Sequence, residues 1–304
     1  MKIKNTLKTM ILAGSVMLSS SLMAQSPVVV SSKIDTEGSV LGHLIYFALE
    51  DAGIAATNRI QLGGTSIVRN ALINGEIDIY PEYTGNGAFF FDHDDAGIWK
   101  NAEQSYQLVK KLDYDANKLV WLTPADANNT WAISVRGDLA RGQNLTTLED
   151  LASYLNDGGD FKFAASAEFV DSPSALPAFQ EAYGFALESD QLLILSGGNT
   201  AATMRAAALQ TSGVNAAMTY GTDGGLPALD LVVLEDTLEV QPVYQPAPVI
   251  RESTLKEHPE IAGILAPIFA ELNLETLQKL NGDVAVNGED ASVVARRFLD
   301  SISQ

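Results

Sequence analysis

Apolar positions recur along this chain with two alternating periods, one suited to strands and one to helices. Pro27–Ser32 is a short β-branched run that predicts a strand. Leu41, Leu44, Ile45, Ala48 and Leu49 then fall on one face at helical spacing, predicting an amphipathic helix over about Ser39–Ala52. A second strand, Arg59–Leu62, runs through Gly63-Gly64 into a helix with Thr65 or Ser66 as its cap, and a strand at Ile77–Tyr80 closes the unit. Farther on, Thr146 and Glu149 stand at capping-box spacing ahead of a helix to Leu155. Phe161–Ala165 reads as a strand, Thr200–Gln210 as a helix and Leu231–Leu234 as a strand, with mostly helix from about Ser253. The alternation predicts an α/β fold whose sheets are covered on both faces. The Pro-rich piece Gln241–Ile250 interrupts it and reads as a crossing between lobes.

The pattern has an internal echo. LGGTSIVRNALINGEIDIYPEYTGNG, from Leu62, is loosely repeated by LSGGNTAATMRAAALQTSGVNAAMTYGTDGG, from Leu195. Each runs from paired glycines through a helix with Arg and Ala-Leu to an apolar strand and a tyrosine turn. Tyr83-Thr84-Gly85 thus matches Tyr220-Gly221-Thr222. Any two βαβ units share some of this. Two equivalent lobes would instead each present a tyrosine at a strand end, and in open α/β sheets ligands bind beyond the carboxyl ends of strands.

The ends and the composition narrow the setting. Lys2, Lys4 and Lys8 precede an apolar run, Met10–Met23, and the small residue Ala24 fits a cleavage position. This is the pattern of a secretory signal peptide over 1–24, with a mature chain from Gln25. No later segment is long and apolar enough for a spanning helix, so a soluble exported protein is expected. The chain has no cysteine, which excludes disulfides, thiolate metal sites and a lipid anchor on an N-terminal Cys. The length supports a core without covalent staples, in two lobes. Without the three leading lysines, 16 basic residues face 38 acidic ones, a net charge of about −22. Such a surface repels nucleic acid and anionic lipid and mildly favours cations.

Catalytic signatures are poor. His43, His93 and His258 lie far apart, and there is no HExxH, GxSxG, P-loop or GxGxxG after a strand. No metal or cofactor is expected. Glu82 and Asp223 flank the two tyrosine turns but have no nucleophile beside them, and they read as hydrogen-bonded supports of those turns. Aromatics in turns are the positive signal. Tyr80, Tyr83, Trp131, Tyr220 and Tyr244 stand beside Gly, Pro, Asn or Thr rather than in a helical stripe. Such rings pack on a nearby core or, gathered together, cage a cation such as a quaternary ammonium. Phe89–Phe91 cannot all face one site and are expected to anchor the turn by packing.

The stretches SSKIDTEGSVLG, YPEYTGNGAFFF, LTPADANNTWAISVR, AASAEF, TSGVNAAMTYGTDG and YQPAPVIRES, in this order, resemble the osmoprotectant substrate-binding proteins of ABC importers, in particular the OsmF/YehZ branch. The resemblance covers nearly all of the mature chain. It implies a type II periplasmic-binding-protein fold: two α/β lobes, 25–127 with 251–304 and 128–250, joined by two crossing segments around a ligand cleft. It also implies a periplasmic, non-enzymatic monomer that delivers a small cationic or zwitterionic ligand to the transmembrane subunits of an ABC permease. Matching motif by motif places an aromatic cage on Tyr83, Trp131, Tyr220 and Tyr244, with polar contacts from Lys33, Asn86 and Asn129.

Three positions depart from the family pattern. Asn86 stands where Thr is common, Trp131 where Tyr is more frequent, and Ser172 where an arginine that grips the betaine carboxylate is expected. Losing a forked guanidinium weakens the hold on a carboxylate. The expectation is a retained cation cage with a loose carboxylate clamp, for glycine betaine or for choline, which has no carboxylate. A different small polar solute, such as an amino acid or a non-quaternary osmolyte, is the alternative.

Overall fold

The computed structural model describes residues 26–196 and 199–302. The signal peptide expected over 1–24 and the Gly197-Gly198 pair lie outside the described residues.

Among the described residues, ten strands form two five-stranded sheets. The first contains β1 (Val28–Lys33), β2 (Ala56–Gly63), β3 (Ile79–Tyr83), β4 (Leu119–Trp121) and β10 (Pro246–Arg251), in the order β2-β1-β3-β10-β4. The second contains β5 (Trp131–Arg136), β6 (Phe163–Ser166), β7 (Leu192–Leu195), β8 (Ala216–Tyr220) and β9 (Leu231–Val233), in the order β7-β6-β8-β5-β9. The two orders are one pattern used twice. In each sheet three parallel strands are followed by two strands that join in antiparallel. The echo in the sequence is the β2–helix–β3 unit set against the β7–helix–β8 unit. Its helices are Thr65–Ile73 and Thr200–Ala208.

Both faces of each sheet are covered. On the first sheet, helix Thr36–Asp51 buries Leu41, Leu44, Ile45 and Leu49 with Val30 and the C-terminal helices, while Val68, Leu72, Tyr80 and Trp121 fill the opposite face. Phe163, Phe169 and Phe179 lead one face of the second sheet, and Ala164, Met204 and Ala217 hold the other. Completely buried side chains of the Leu and Phe class each contribute about 1.5–3 kcal/mol. Each sheet therefore has its own core.

The expected elements are present with shifted ends. The helix after Gly63 starts on Gly64 as its cap, so neither Thr65 nor Ser66 caps it. The capping box lies one residue later than the spacing indicated, with Thr147 and Asp150 bonded to each other's backbone around the start of helix Leu148–Asn156. Thr146 instead donates both its N–H and its hydroxyl to Asp150.

Two segments cross between the sheets, 122–130 and 234–245, and they run side by side. Asn129 N–H donates to Tyr244 O at 2.9 Å, and Tyr244 N–H donates to Asn128 Oδ1 at 2.8 Å. The second crossing ends before Pro246, because β10 pairs with β3 along its length. The 250–251 boundary expected from the sequence therefore falls inside a strand of the first sheet. Val249 and Ile250 have no exposure there.

The three phenylalanines also divide. Phe90 lies under the Arg69 guanidinium, 3.7 Å from ring centroid to Cζ, and Phe91 packs on the core. Phe89 is 73% exposed, with its ring 5.8 Å from that of Phe90, so it packs on no core, contrary to the expectation for the run. Among the described residues, no helix is long and apolar enough to cross a membrane.

Candidate functional site

The carboxyl ends of the parallel strands in both sheets open onto one cavity of about 80 Å³ between the lobes. From the first sheet come Lys33, the last residue of β1, and Ile34 and Asp35 just after it. Gly64 and Thr65 follow β2, and Tyr83, with Asn86 beyond it, ends β3. From the second sheet come Glu168 after β6 and Tyr220, which ends β8. The crossing segments add Asn129 and Tyr244, and Trp131, the first residue of β5, completes the wall.

All seven residues singled out from the sequence line this cavity. The repeated topology is what brings the four aromatic rings together. Tyr83 ends β3 opposite Pro246, two residues beyond Tyr244, and Tyr220 ends β8 opposite Trp131. The Trp131 and Tyr244 rings lie 6.1 Å apart, and Trp131 is braced edge-on by Phe169 at 5.7 Å. Gly85 makes the fit possible in the first turn. A Cβ there would lie 2.7 Å from Tyr244 Cδ1 and 2.8 Å from Val243 O, so only glycine lets the crossing segment approach.

Tyr80 is core. It has no exposure, and its hydroxyl donates to Glu82 Oε2 at 2.6 Å. Alternation along β3 explains the split, but the strand is buried on both faces, so the sequence pattern did not reveal which tyrosine faces the cleft.

Two buried carboxylates organise the polar wall. Glu82 Oε1 accepts from the Tyr83 N–H at 2.8 Å and Asn86 Nδ2 at 2.7 Å, and Lys33 Nζ is 2.5 Å away. Glu37 Oε1 accepts from the Tyr83 hydroxyl at 3.0 Å and from Asn129 Nδ2 at 2.6 Å. Its Oε2 accepts from Asn281 Nδ2 at 2.7 Å. Thus each polar residue expected to meet a ligand already donates to a buried acid. Burial pushes the Glu37 carboxyl up, and the bonds from Asn129 and Asn281 oppose the rise. Loss of hydration also holds the Tyr83, Tyr220 and Tyr244 phenols well above their usual range, so the rings remain neutral.

Asp223 supports the second tyrosine as Glu82 supports the first. It accepts from the Tyr220 N–H at 2.7 Å and from the Thr200 hydroxyl at 2.8 Å. Burial pushes its carboxyl up to about 7.

A match to the family described as the substrate-binding domain of the ABC-type glycine betaine transport system spans residues 26–301. The chain belongs to that family. It is 59% identical over 278 residues to the glycine betaine-binding protein YehZ of Escherichia coli K12, covering 91% of each chain. It is 31% identical to a glycine-betaine-binding protein of Pseudomonas aeruginosa, covering 89% of this chain and 86% of that one. The apo structure of the E. coli protein superposes with a TM-score of 0.70 at 58% identity, over 91% of this chain and 99% of that one. A glycine betaine/carnitine/choline ABC transporter structure, at 23% identity and a TM-score of 0.72 over 90% of this chain and 98% of that one, shares the fold.

As a transport substrate-binding domain, the chain carries cavity residues that the sequence did not single out, Asp35 and Glu168, with Glu37 behind Tyr83; Gly64 and Thr65, which read as a tight turn into a helix, also line it. Asp35 had a readable signal. It caps helix Thr36–Asp51, accepting from Gly38 N–H at 2.7 Å, in the place where a strand gives way to a helix. Glu37 had none, because an acid in the first turn of a helix ordinarily reads as a solvated dipole partner. Ser172 does not line this cavity; it borders an adjoining chamber of about 720 Å³ that opens past Glu168, Trp131 and Tyr244.

Proposed function

We propose that this cleft binds a small quaternary ammonium solute of the glycine betaine or choline class for import by an ABC permease. Tyr83, Trp131, Tyr220 and Tyr244 form the cage, and Lys33, Asn86 and Asn129 form its polar frame. The convergence of four aromatic rings from both sheets on one cavity carries this reading. The charge supports it. Asp35 and Glu168 border the cavity, while the lining cation Lys33 is already paired to Glu82. The names of the E. coli and Pseudomonas relatives agree with the ligand class.

Each desolvated cation–ring contact contributes up to about 2 kcal/mol, so four supply up to about 8 kcal/mol, the scale of micromolar binding before ordering costs. A betaine carboxylate adds little, since the donors near it are engaged and Ser172 stands in place of a guanidinium. The protein therefore grips the ammonium end. The signal peptide over 1–24 sends the chain to the periplasm, where it acts as a monomer that meets the permease transmembrane subunits and no nucleic acid.

The test is a thermal-shift panel of glycine betaine, choline, carnitine, ectoine and amino acids, followed by calorimetry on Tyr220→Ala and Trp131→Ala. Quaternary compounds should stabilise the protein, and each variant should lose most of the affinity. Stabilisation by an amino acid alone, or unchanged affinity in both variants, would overturn the reading.

A further inference from the structure

Besides the two chain crossings, the lobes touch at a third place. Helix Leu274–Ala285 packs into the core of the first lobe through Leu277 and Leu280, beside helix Thr36–Asp51, yet its other side meets the turn that follows β8 of the second sheet. Gln278 Nε2 donates to Gly221 O at 3.0 Å. Asn281 Nδ2 donates both to Thr222 O at 2.9 Å and to Glu37 Oε2 at 2.7 Å. Beside them Gly224 lies on the helix backbone so closely that a Cβ there would stand 1.7 Å from Gln278 O and 2.5 Å from Gly282 N. Asn281 is buried, so its two bonds are made away from water, where losing them is most costly.

We propose that Asn281 and Gly224 form a clasp that holds the lobes together and positions the cage, and that this clasp sets ligand affinity. The route is short. Asn281 holds the Thr222 carbonyl two residues beyond Tyr220, and through Glu37 it orients the Tyr83 hydroxyl and Asn129. One amide therefore connects the tyrosine of each lobe without lining the cavity. A ligand that contacts both lobes binds the apposed arrangement, and its apparent affinity scales with the fraction of molecules already in that arrangement. Weakening the clasp lowers this fraction. The affinity consequence rests on the cage reading. The apposition itself does not.

The absence of cysteine allows both to be measured separately. Labels at Ile67→Cys and Ile194→Cys, exposed positions on opposite lobes, report the distance between lobes by paired-spin spectroscopy. Asn281→Ala and Gly224→Ala, each in the labelled protein, should shift the unliganded distance distribution toward longer separations. Each should also weaken choline or glycine betaine binding about tenfold or more in calorimetry. Broad loss of packing is separated by circular dichroism and by the unliganded melting temperature, and if Asn281→Ala fails to fold, Gly224→Ala decides alone. An unchanged distance distribution in the folded variants overturns the clasp. So does an unchanged affinity alongside a lengthened distance. If the unaltered protein binds neither quaternary compound, the cage reading and the affinity consequence fall together, and the distance measurement still decides the apposition.

Discussion

Lys33 Nζ stands 2.5 Å from Glu82 Oε1, and both side chains are buried at the edge of the cleft. The ammonium also lies 4.7 Å from the centre of the Tyr83 ring. Glu82 has no exposure, so removing its cation leaves a buried charge held by neutral donors alone. Lys33→Met is expected to cost about 3–5 kcal/mol of stability, read from urea unfolding. Lys33→Met with Glu82→Gln should recover part of that loss, because the uncompensated charge is gone.

The serine at 172 is expected to decide how betaine and choline compare. Its hydroxyl is 3.1 Å from that of Ser174, on the wall of the chamber that adjoins the aromatic-lined cavity. Ser172→Arg places a forked donor there, suited to a carboxylate. Calorimetry should show glycine betaine affinity rising about tenfold relative to choline, the scale of one charge-assisted hydrogen bond. An equal change for both ligands would mean that the position does not meet the carboxylate.

Asp223 gives the fold a predictable pH dependence. Its carboxyl rises from an ordinary 3.8 to about 7, chiefly through burial, with further upward pressure from Glu37 and Asp35. The folded state therefore holds this proton more tightly than the unfolded chain. Its contribution to stability is complete below about pH 4 and is lost as pH rises through 7, at most about 4 kcal/mol. Asp223→Asn should flatten that part of the profile, so the gap between the variant and the parent melting temperatures widens in the variant's favour from pH 4 to pH 7.

A scaffold prediction separates stability from selectivity. Asp113 has no exposure and accepts from Arg69 Nη1 at 3.1 Å and Nη2 at 2.9 Å, from Trp121 Nε1 at 2.8 Å and from Asn117 Nδ2 at 2.8 Å. Asp113→Ala strands the Arg69 guanidinium and should cost about 3–5 kcal/mol in denaturant unfolding. The ratio of choline to betaine affinity should stay the same in the folded fraction, since neither residue borders the cavity.

The periodicities by themselves determined the α/β class, the order of the main elements and the pairing of two similar units. These are local properties, written in apolar spacing and turn residues. The tyrosine turns were legible for the same reason, because Tyr83 and Tyr220 end matching strands of matching units. Capping residues moved by a position or two, since Thr146 and Thr147 offer the same chemistry and only the backbone path chooses between them. β10 read as a crossing because its prolines obscure a strand whose partners lie more than 100 residues away.

Tertiary structure decided everything that depends on which buried groups meet. Tyr80 and Tyr83 share one strand and one composition, yet the first bonds Glu82 in the core and the second lines the cleft. Glu37, an ordinary helix-start acid in the sequence, accepts from Tyr83, Asn129 and Asn281, residues 46, 92 and 244 positions away. No local pattern encodes such a meeting. A carboxylate taken out of water must find its donors wherever the fold brings them, and in this protein they come from the ends of the strands, the crossing segment and the C-terminal helices.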